Sequence, residues 1–208
     1  MRFYYPLFGL FLIFVLWQAY ERNKADKKNK KASDDFWQKE ADANSVRKQP
    51  LDKVDYITIN ENLLINNLWQ NHPKDDDLVA YSDTLKQLMD KRILNLTGKT
   101  STDIKVQYGV ANLNEVTSYD DNYTLMVKTI ADYGTKLMEL GNTSAAITVF
   151  EFGIDSLTDI SINYKHLANL YVAAGEREKI NNLLEAADKL DSMMKSSIIK
   201  VLKEIQNS

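Results

Sequence analysis

The chain has 208 residues, 44% of them hydrophobic and 26% charged, with a formal net charge of −3. This is the composition of a globular protein rather than a disordered one. There is no cysteine, which excludes disulfides, cysteine-ligated zinc, iron–sulfur clusters and a thiol nucleophile. Residues 2–31 carry seven basic and two acidic side chains, so the remainder is acidic. An acidic body argues against nucleic acid as a partner, because nucleic acid requires a basic face.

The first element is the uncharged stretch FYYPLFGLFLIFVLWQAY, residues 3–20. As a helix it would be about 27 Å long, close to the thickness of the hydrocarbon core of a bilayer. The aromatic residues suited to the headgroup zone lie near its ends: Tyr4, Tyr5, Trp17 and Tyr20. No small-x-small cleavage site follows it. The sequence therefore predicts an uncleaved transmembrane anchor, residues 1–21, with the lipid bilayer as a partner through residues 3–20.

A basic juxtamembrane linker, residues 22–35, is predicted to follow the anchor. Its basic residues are Arg22, Lys24, Lys27, Lys28, Lys30 and Lys31. Under the positive-inside rule these charges keep the body of the protein on the cytoplasmic side of the cell membrane. The same charges would lie against anionic lipid headgroups.

Residues 36–120 are expected to form a helical region with an extended segment and a long loop. Ser33 or Asp34 can cap a helix that Pro50 stops at about Arg47 or Lys48. The alternating pattern at Tyr56–Ile59 predicts a short extended segment.

A polar loop, residues 71–77, leads into a helix predicted from Leu78 to about Leu96. The following polar stretch, residues 97–121, has only short apolar islands and is predicted to be a long loop. A loop of this length either binds a partner or contains an element that the pattern does not show. From Asp121 onward the pattern is helical to the end of the chain, and Gly141 and Gly175 break it into short pieces.

In the region 121–208, a pattern of large and small residues recurs after 34 residues, as from Ile130 to Tyr164. Large residues align with large and small with small in every compared pair except Ala146 with Ile180. The other pairs are Ile130 with Tyr164, Tyr133 with Leu167, Gly134 with Ala168, Leu137 with Tyr171, Gly141 with Gly175, Phe150 with Leu184 and Gly153 with Ala187.

This interval resembles that of the tetratricopeptide repeat, a helix–turn–helix unit of about 34 residues. The resemblance implies an all-α fold in which helical hairpins stack into a solenoid, closed by a capping C-terminal helix that contains Ile198, Val201 and Ile205. The sequence departs from the family pattern where Thr158 and Ser192 replace a proline near the end of each repeat.

In tetratricopeptide proteins the inner face of each first helix often holds a partner peptide, and a lysine and an asparagine can clamp its terminal carboxylate. Lys165 and Asn169 match that pair in type and spacing and would share one helix face. The preceding repeat has Ala131 and Thr135 at the same offsets, which gives no second clamp. The alternative is that Lys165 and Asn169 are simply solvated surface residues.

Three other patterns are poor candidates for chemistry. The stretch LTGKT, residues 96–100, lacks the earlier glycine of a phosphate-binding loop. The aspartates of residues 75–77 lack the spacing of a calcium loop, and helix capping explains them better. The two histidines, His72 and His166, have no visible acid or nucleophile beside them. We expect no catalytic residue, no metal site, no cofactor and no small-molecule substrate.

The sequence thus predicts a single-pass membrane protein whose helical body acts as a scaffold or adaptor for a protein or peptide partner. One alternative places the body outside the cytoplasm, as an assembly or secretion accessory of the cell envelope. Another is an enzyme of unrecognised type, which would require a deep pocket with convergent acids in residues 97–121.

Overall fold

In the computed structural model, the backbone is described for residues 4–208 and the side chains from Phe8 onward. This part of the chain is all-helical and contains no β-strand, which confirms the predicted all-α class. The α-helices are α1 Tyr4–Ser45, α2 Ile65–Leu68, α3 Asp76–Met89, α4 Ser101–Tyr108, α5 Leu113–Glu139, α6 Thr143–Asp155, α7 Ser161–Ala173, α8 Ile180–Asp188 and α9 Lys195–Asn207.

The chain divides into two compact units. The first combines Met1–Gln49 with Ser101–Ala111, and the second combines Pro50–Thr100 with Asn112–Ser208. Neither unit is continuous in sequence, whereas the predicted regions 36–120 and 121–208 were both continuous. The first unit includes the short helix α4, which is distant in sequence from α1. A pattern among neighbouring residues cannot predict a contact between such distant segments.

Helix α1 is continuous over 42 residues, so the segment predicted as a basic linker is helical. No new helix starts at Ser33 or Asp34, because this stretch is rich in Lys, Ala, Glu and Gln and contains neither glycine nor proline. The side chains of residues 3–7, where the predicted membrane segment begins, lie outside the described residues. Among the helices that are described, none combines the length and the apolar character needed to cross a bilayer.

In the first unit, the second half of α1 packs against α4. Glu40 of α1 accepts a hydrogen bond from the Thr102 hydroxyl at 2.6 Å and a second one from the Lys105 ammonium. Gly109, at φ +84°, lies directly against the backbone of Arg47. The long loop predicted for residues 97–121 is therefore wrong: it contains all of α4 and the start of α5. Helix α4 has no clear apolar stripe because polar side chains make much of its contact with α1.

In the second unit, α3 packs on α5, α5 on α6, α6 on α7, and both α7 and α8 on α9. The largest fully buried side chains of this core are Tyr133, Tyr164, Phe150, Leu78, Leu85, Leu88, Ile93, Met126, Ile130, Leu137, Leu167 and Ile180. Helix α9 packs on α7 and α8 and buries Ile198, one of the residues of the predicted C-terminal helix.

The segment predicted to be extended, Tyr56–Ile59, does not form a strand, although Ile57 N donates to Ile93 O at 3.0 Å. Helix α3 ends at Met89 rather than near Leu96. The residues after α3 instead bond to α5, where Leu96 N donates to the Asp120 carboxylate at 2.9 Å.

The ends of α5 and α7 have the same geometry at the two glycines that the sequence comparison aligned. Gly141 and Gly175 follow these helices with φ of +80° and +75°, a conformation that glycine adopts without strain. After each glycine, the next backbone amide donates to the carbonyl five residues earlier, at 2.9 and 2.8 Å. These bonds run from Asn142 to Leu137 and from Glu176 to Tyr171. The prediction that these glycines terminate helices is confirmed.

Thr158 and Ser192 make the same kind of hydrogen bond. Thr158 accepts a hydrogen bond on its side-chain oxygen from Ile160 N, and Ser192 accepts one from Met194 N, both at 3.2 Å. Each hydroxyl therefore bonds the backbone two residues later, in the turn that leads into the next helix.

Candidate functional site

Helix α7 presents two different faces within the second unit. Lys165 and Asn169 are one helical turn apart, and both are exposed on the same face. Leu167 and Tyr171, on the opposite face, are buried. The structure therefore places the predicted lysine–asparagine pair where a partner could reach both side chains.

His166, next to this pair, is packed rather than free. Its ring lies 5.7 Å from the ring of Phe150, measured between centroids. Burial, with a smaller contribution from the charge of Lys165, lowers the pKa of His166 below its ordinary value. The neutral imidazole is therefore favoured at this position.

The equivalent positions on α5 do not extend the polar face. Ala131 is buried, and the Thr135 hydroxyl donates to the Ala131 carbonyl at 2.7 Å within the helix. At the same offsets on α9, Ile199 is half-buried and Lys203 is exposed. The structure brings no second lysine–asparagine pair to these offsets among the residues it describes.

A cleft of about 440 Å³ lies on the other side of α7, between α6, α7 and α8. We call it the acidic cleft, and it is defined by the residues that line it. Its apolar residues are Ile154, Leu167, Leu183 and Ala186, and its polar residues are Glu151, Asp155, Tyr171, Asn182, Glu185 and Lys189.

Carboxylates dominate the charge of the acidic cleft. The Tyr171 hydroxyl donates a hydrogen bond to Glu151 at 2.6 Å and so fixes this side chain. Asp155 lies one turn further along α6, and partial burial, followed by the charge of Glu151, raises its pKa above the ordinary value. Within the described part of the chain, no salt bridge reaches Glu151, Asp155 or Glu185.

Comparisons with family models, curated protein sequences and solved structures gave no match.

The LTGKT stretch packs against another loop of the second unit. Gly98 has a φ of +82°, and a Cβ atom added there would lie 2.3 Å from the carbonyl oxygen of Asp191. This close approach, rather than a phosphate cradle, explains the glycine.

The aspartates of residues 75–77 lie at the N-terminus of α3. Asp75 caps α3 by accepting a hydrogen bond from Leu78 N at 3.1 Å, and the Lys136 ammonium lies 3.1 Å from both Asp75 and Asp77. Among the described residues, no group of three or more potential metal ligands comes together.

The acidic cleft was not predicted from the sequence. The usable signal was Glu151 and Asp155, two like charges one turn apart in an otherwise uncharged helix. The third carboxylate, Glu185, comes from α8, and only the packing of three helices brings it to the same cleft.

Proposed function

We propose that this protein is a membrane-anchored scaffold that binds a protein partner through tetratricopeptide-like helix pairs. The main support for this proposal is that α5 and α7 end in the same way. Gly141 and Gly175 have the same left-handed conformation, and the hydrogen bonds after them have nearly equal lengths, 2.9 and 2.8 Å. The spacing of these two helix ends, taken with the aligned large and small residues, favours a repeated helix pair over an unrelated bundle.

Close packing within the first helix pair supports the same proposal. Gly134 of α5 lies against the ring of Phe150 of α6, where a Cβ atom would be only 2.5 Å from the nearest ring carbon. Ala168, at the equivalent position of α7, is fully buried. Small residues at these positions allow helices to approach closely and to form rigid pairs that can present a binding face.

The exposed side of α7 is the binding face that we assign to a peptide of the partner. Lys165 offers an ammonium group and Asn169 an amide, one turn apart. Neither side chain hydrogen-bonds to another described residue, so a partner would not have to break an existing contact. A carboxylate of the peptide is the complementary group, because it accepts hydrogen bonds from both side chains.

We further propose that the N-terminal part of α1 enters the bilayer. The apolar side chains from Leu10 to Leu16 are all exposed, and they surround the helix instead of forming one stripe. Such a helix needs an apolar environment on every side. The basic residues that follow favour a cytoplasmic body.

A photo-reactive amino acid at Ile162, which is exposed on the same face of α7 two turns before Asn169, tests the docking face in intact cells. We expect a discrete cross-linked partner band that is lost when Lys165 is changed to Glu. The same photo-reactive residue at Glu204, exposed on α9, is the control position. Equal cross-linking at both positions, or a band insensitive to Lys165→Glu, would rule out this face.

Membrane attachment is tested separately by alkaline extraction of the full chain and of a variant lacking residues 3–20. We expect the full chain to stay with the membranes and the variant to be released. Proximity labelling from an enzyme fused after Ser208 then reports the side on which the body lies. Labelling confined to envelope proteins would overturn the cytoplasmic orientation.

A further inference from the structure

We propose that one face of helix α1 binds the phosphate groups of anionic lipids at the membrane surface. We name it the basic face and define it by five lysines: Lys24, Lys27, Lys28, Lys30 and Lys31. The inference rests on the proposed entry of α1 into the bilayer. It adds a preference for the kind of lipid and a direction in which α1 tilts.

The five lysines share one side of a continuous helix. Helix α1 runs without a break over Tyr4–Ser45, so the turn of about 100° per residue gives the position of each side chain around its axis. On this basis the basic face covers an arc of about 160°. Glu21 and Asp26, the acids within the same turns, fall outside that arc. All five lysines are exposed, and none forms a salt bridge with a described residue.

Part of the basic face forms a cleft with the chemistry of a phosphate site. A shallow cleft of about 340 Å³, which we name the lysine cleft, is lined by Tyr20, Asn23, Lys24 and Lys27. Two ammonium groups, an amide and a phenol supply hydrogen-bond donors, and none of the four lining residues is acidic. A phosphate diester carries a negative charge and accepts hydrogen bonds, so it complements this set of donors.

The position of the lysine cleft along α1 identifies lipid as the source of the phosphate. Tyr20 is the last residue of the uncharged stretch, and the apolar side chains from Leu10 to Leu16 are exposed around the helix. Lys24 and Lys27 follow Tyr20 by about 6 and 10 Å along the axis. When the apolar segment lies among acyl chains, the lysine cleft is therefore at the level of the headgroup phosphates.

The opposite side of α1 is covered by its neighbour in the first unit. Ala43 is fully buried, and Glu40 accepts hydrogen bonds from α4. Both residues lie about 140–160° around the helix from the centre of the basic face, so α4 leaves that face open. Asp34 and Asp35 follow the lysines on the same side, and their charges limit the basic face to the turns nearest the apolar segment.

Contact of all five lysines with the bilayer requires α1 to tilt. In an upright helix, Lys30 and Lys31 would lie about 15 Å or more beyond Tyr20, outside the Debye length of about 8 Å at physiological ionic strength. A tilt toward the basic face brings both lysines to the headgroups and turns α4 away from the membrane. An upright helix would instead present all of its sides to the lipid surface alike.

Other polyanions fit less well than a membrane. Nucleic acid or an acidic protein segment would satisfy the lysines but not the exposed apolar side chains of Leu10–Leu16, which belong to the same helix. A bilayer with anionic lipids satisfies both, because it offers acyl chains to the apolar segment and phosphates to the turns that follow.

The test measures the reactivity of each lysine of the full-length protein in vesicles. One set of vesicles is phosphatidylcholine alone, and the other is an equal mixture with phosphatidylglycerol, an anionic lipid that has no amine. Flotation recovers the vesicles, so that only attached protein is measured. N-acetoxysuccinimide, an uncharged and membrane-permeant reagent, then acetylates the accessible amines, and mass spectrometry gives the rate at each lysine.

We expect Lys24 and Lys27 to react about fivefold more slowly in the anionic vesicles, the factor that corresponds to about 1 kcal/mol per lysine near an anionic surface. High salt should remove most of the difference, because it screens the attraction. Equal rates at these two lysines in both sets of vesicles would overturn the proposal.

The variant Ala25→Lys tests whether one side of α1 faces the lipid. It adds an amine at the depth of the lysine cleft but outside the arc of the basic face. In a helix tilted toward the basic face, this amine should react at the same rate in both sets of vesicles. Equal slowing at positions 24 and 25 would show that no side is preferred, and it would overturn the proposal.

Two double variants with the same change in net charge separate the lysine cleft from general electrostatics. Lys24→Gln with Lys27→Gln removes the charges of the lysine cleft, and Lys200→Gln with Lys203→Gln removes two exposed charges of α9. The first variant should lose at least half of the slowing at Lys28, and the second should keep it. Equal effects would contradict the proposal. Circular dichroism establishes that both variants fold.

The outcomes also separate this inference from the proposed function. Failure of the full chain to float with either set of vesicles would contradict the membrane anchor, and this inference with it. Flotation with both sets, without slower acetylation of the basic face in the anionic set, would overturn this inference alone. Slowing by inorganic phosphate or by RNA in phosphatidylcholine vesicles would overturn the assignment to lipid.

Discussion

Gly134 lies directly beneath the aromatic ring of Phe150, and a Cβ atom added to it would approach three ring carbons at 2.5, 2.7 and 2.8 Å. Both residues belong to the first helix pair, and the Phe150 ring is fully buried. The absence of a side chain at position 134 therefore sets how closely α5 and α6 can pack.

The first prediction is that Gly134→Ala lowers the free energy of unfolding by about 1–3 kcal/mol, because the buried ring cannot move away. The loss should appear even though alanine favours a helix by about 1 kcal/mol over glycine. Chemical denaturation followed by circular dichroism measures it. The double variant with Phe150→Leu should recover part of the loss, and additive losses would show that the contact is not responsible.

The second prediction concerns Leu157, which has a φ of +57° in the turn between α6 and α7. A leucine is strained in this conformation by about 1–2 kcal/mol and a glycine is not, so Leu157→Gly should raise the unfolding free energy by about 1 kcal/mol. Leu140 is the matched control, because it is similarly exposed, 37% against 39%, but has a φ of −82°. Leu140→Gly should be destabilising. A loss of stability from Leu157→Gly would contradict the explanation from strain.

The third prediction is that Tyr123→Phe destabilises the protein by about 1–2 kcal/mol. The buried hydroxyl donates to the Leu157 carbonyl at 2.9 Å and accepts a hydrogen bond from the Asn95 amide at 2.9 Å. It thereby connects α5 to the turn before α7. Thermal unfolding measures the loss. Asn95→Ala should add a further loss to Tyr123→Phe, because the Asn95 side chain also donates to the Leu157 carbonyl at 3.3 Å and accepts from Thr97 N at 2.9 Å.

The fourth prediction concerns pH. Burial and the charge of Lys165 lower the pKa of His166 below 6.5, so the unfolded chain binds the proton more readily than the folded chain. The unfolding free energy should therefore fall as the pH drops below about 6.5 and recover above it.

Replacing His166 with Gln should remove this contribution, which a comparison of urea denaturation at about pH 7 and pH 5 would show. Lys165→Gln should raise the pKa of His166 and weaken the same dependence. If the pH dependence of His166→Gln equals that of the unaltered protein, another group is responsible.

Local interactions allowed several features to be predicted from the sequence. Gly141 and Gly175 end helices because only glycine adopts a left-handed conformation without strain, and this holds whatever the neighbouring helices do. Asp75 caps α3 because its side chain reaches a backbone amide three residues later. The all-α class was implied by the resemblance, together with the helical pattern from Asp121 onward, and the structure confirms it.

Other features depend on residues that are distant in sequence. Helix α4 was not predicted, because its contacts include hydrogen bonds from Thr102 and Lys105 to Glu40 of α1. The sequence of α4 alone gives no sign of this distant acceptor. The acidic cleft exists only where α6, α7 and α8 pack together.

The sequence by itself therefore determined the helical class, the helix ends at Gly141 and Gly175 and the cap of α3 at Asp75, since these depend on backbone conformation and near neighbours. Only the tertiary structure decided the two discontinuous units, the packed environment of His166 and the meeting of three carboxylates beside Tyr171. Those features arise from burial and from charges brought together by helix packing, which no short stretch of sequence encodes.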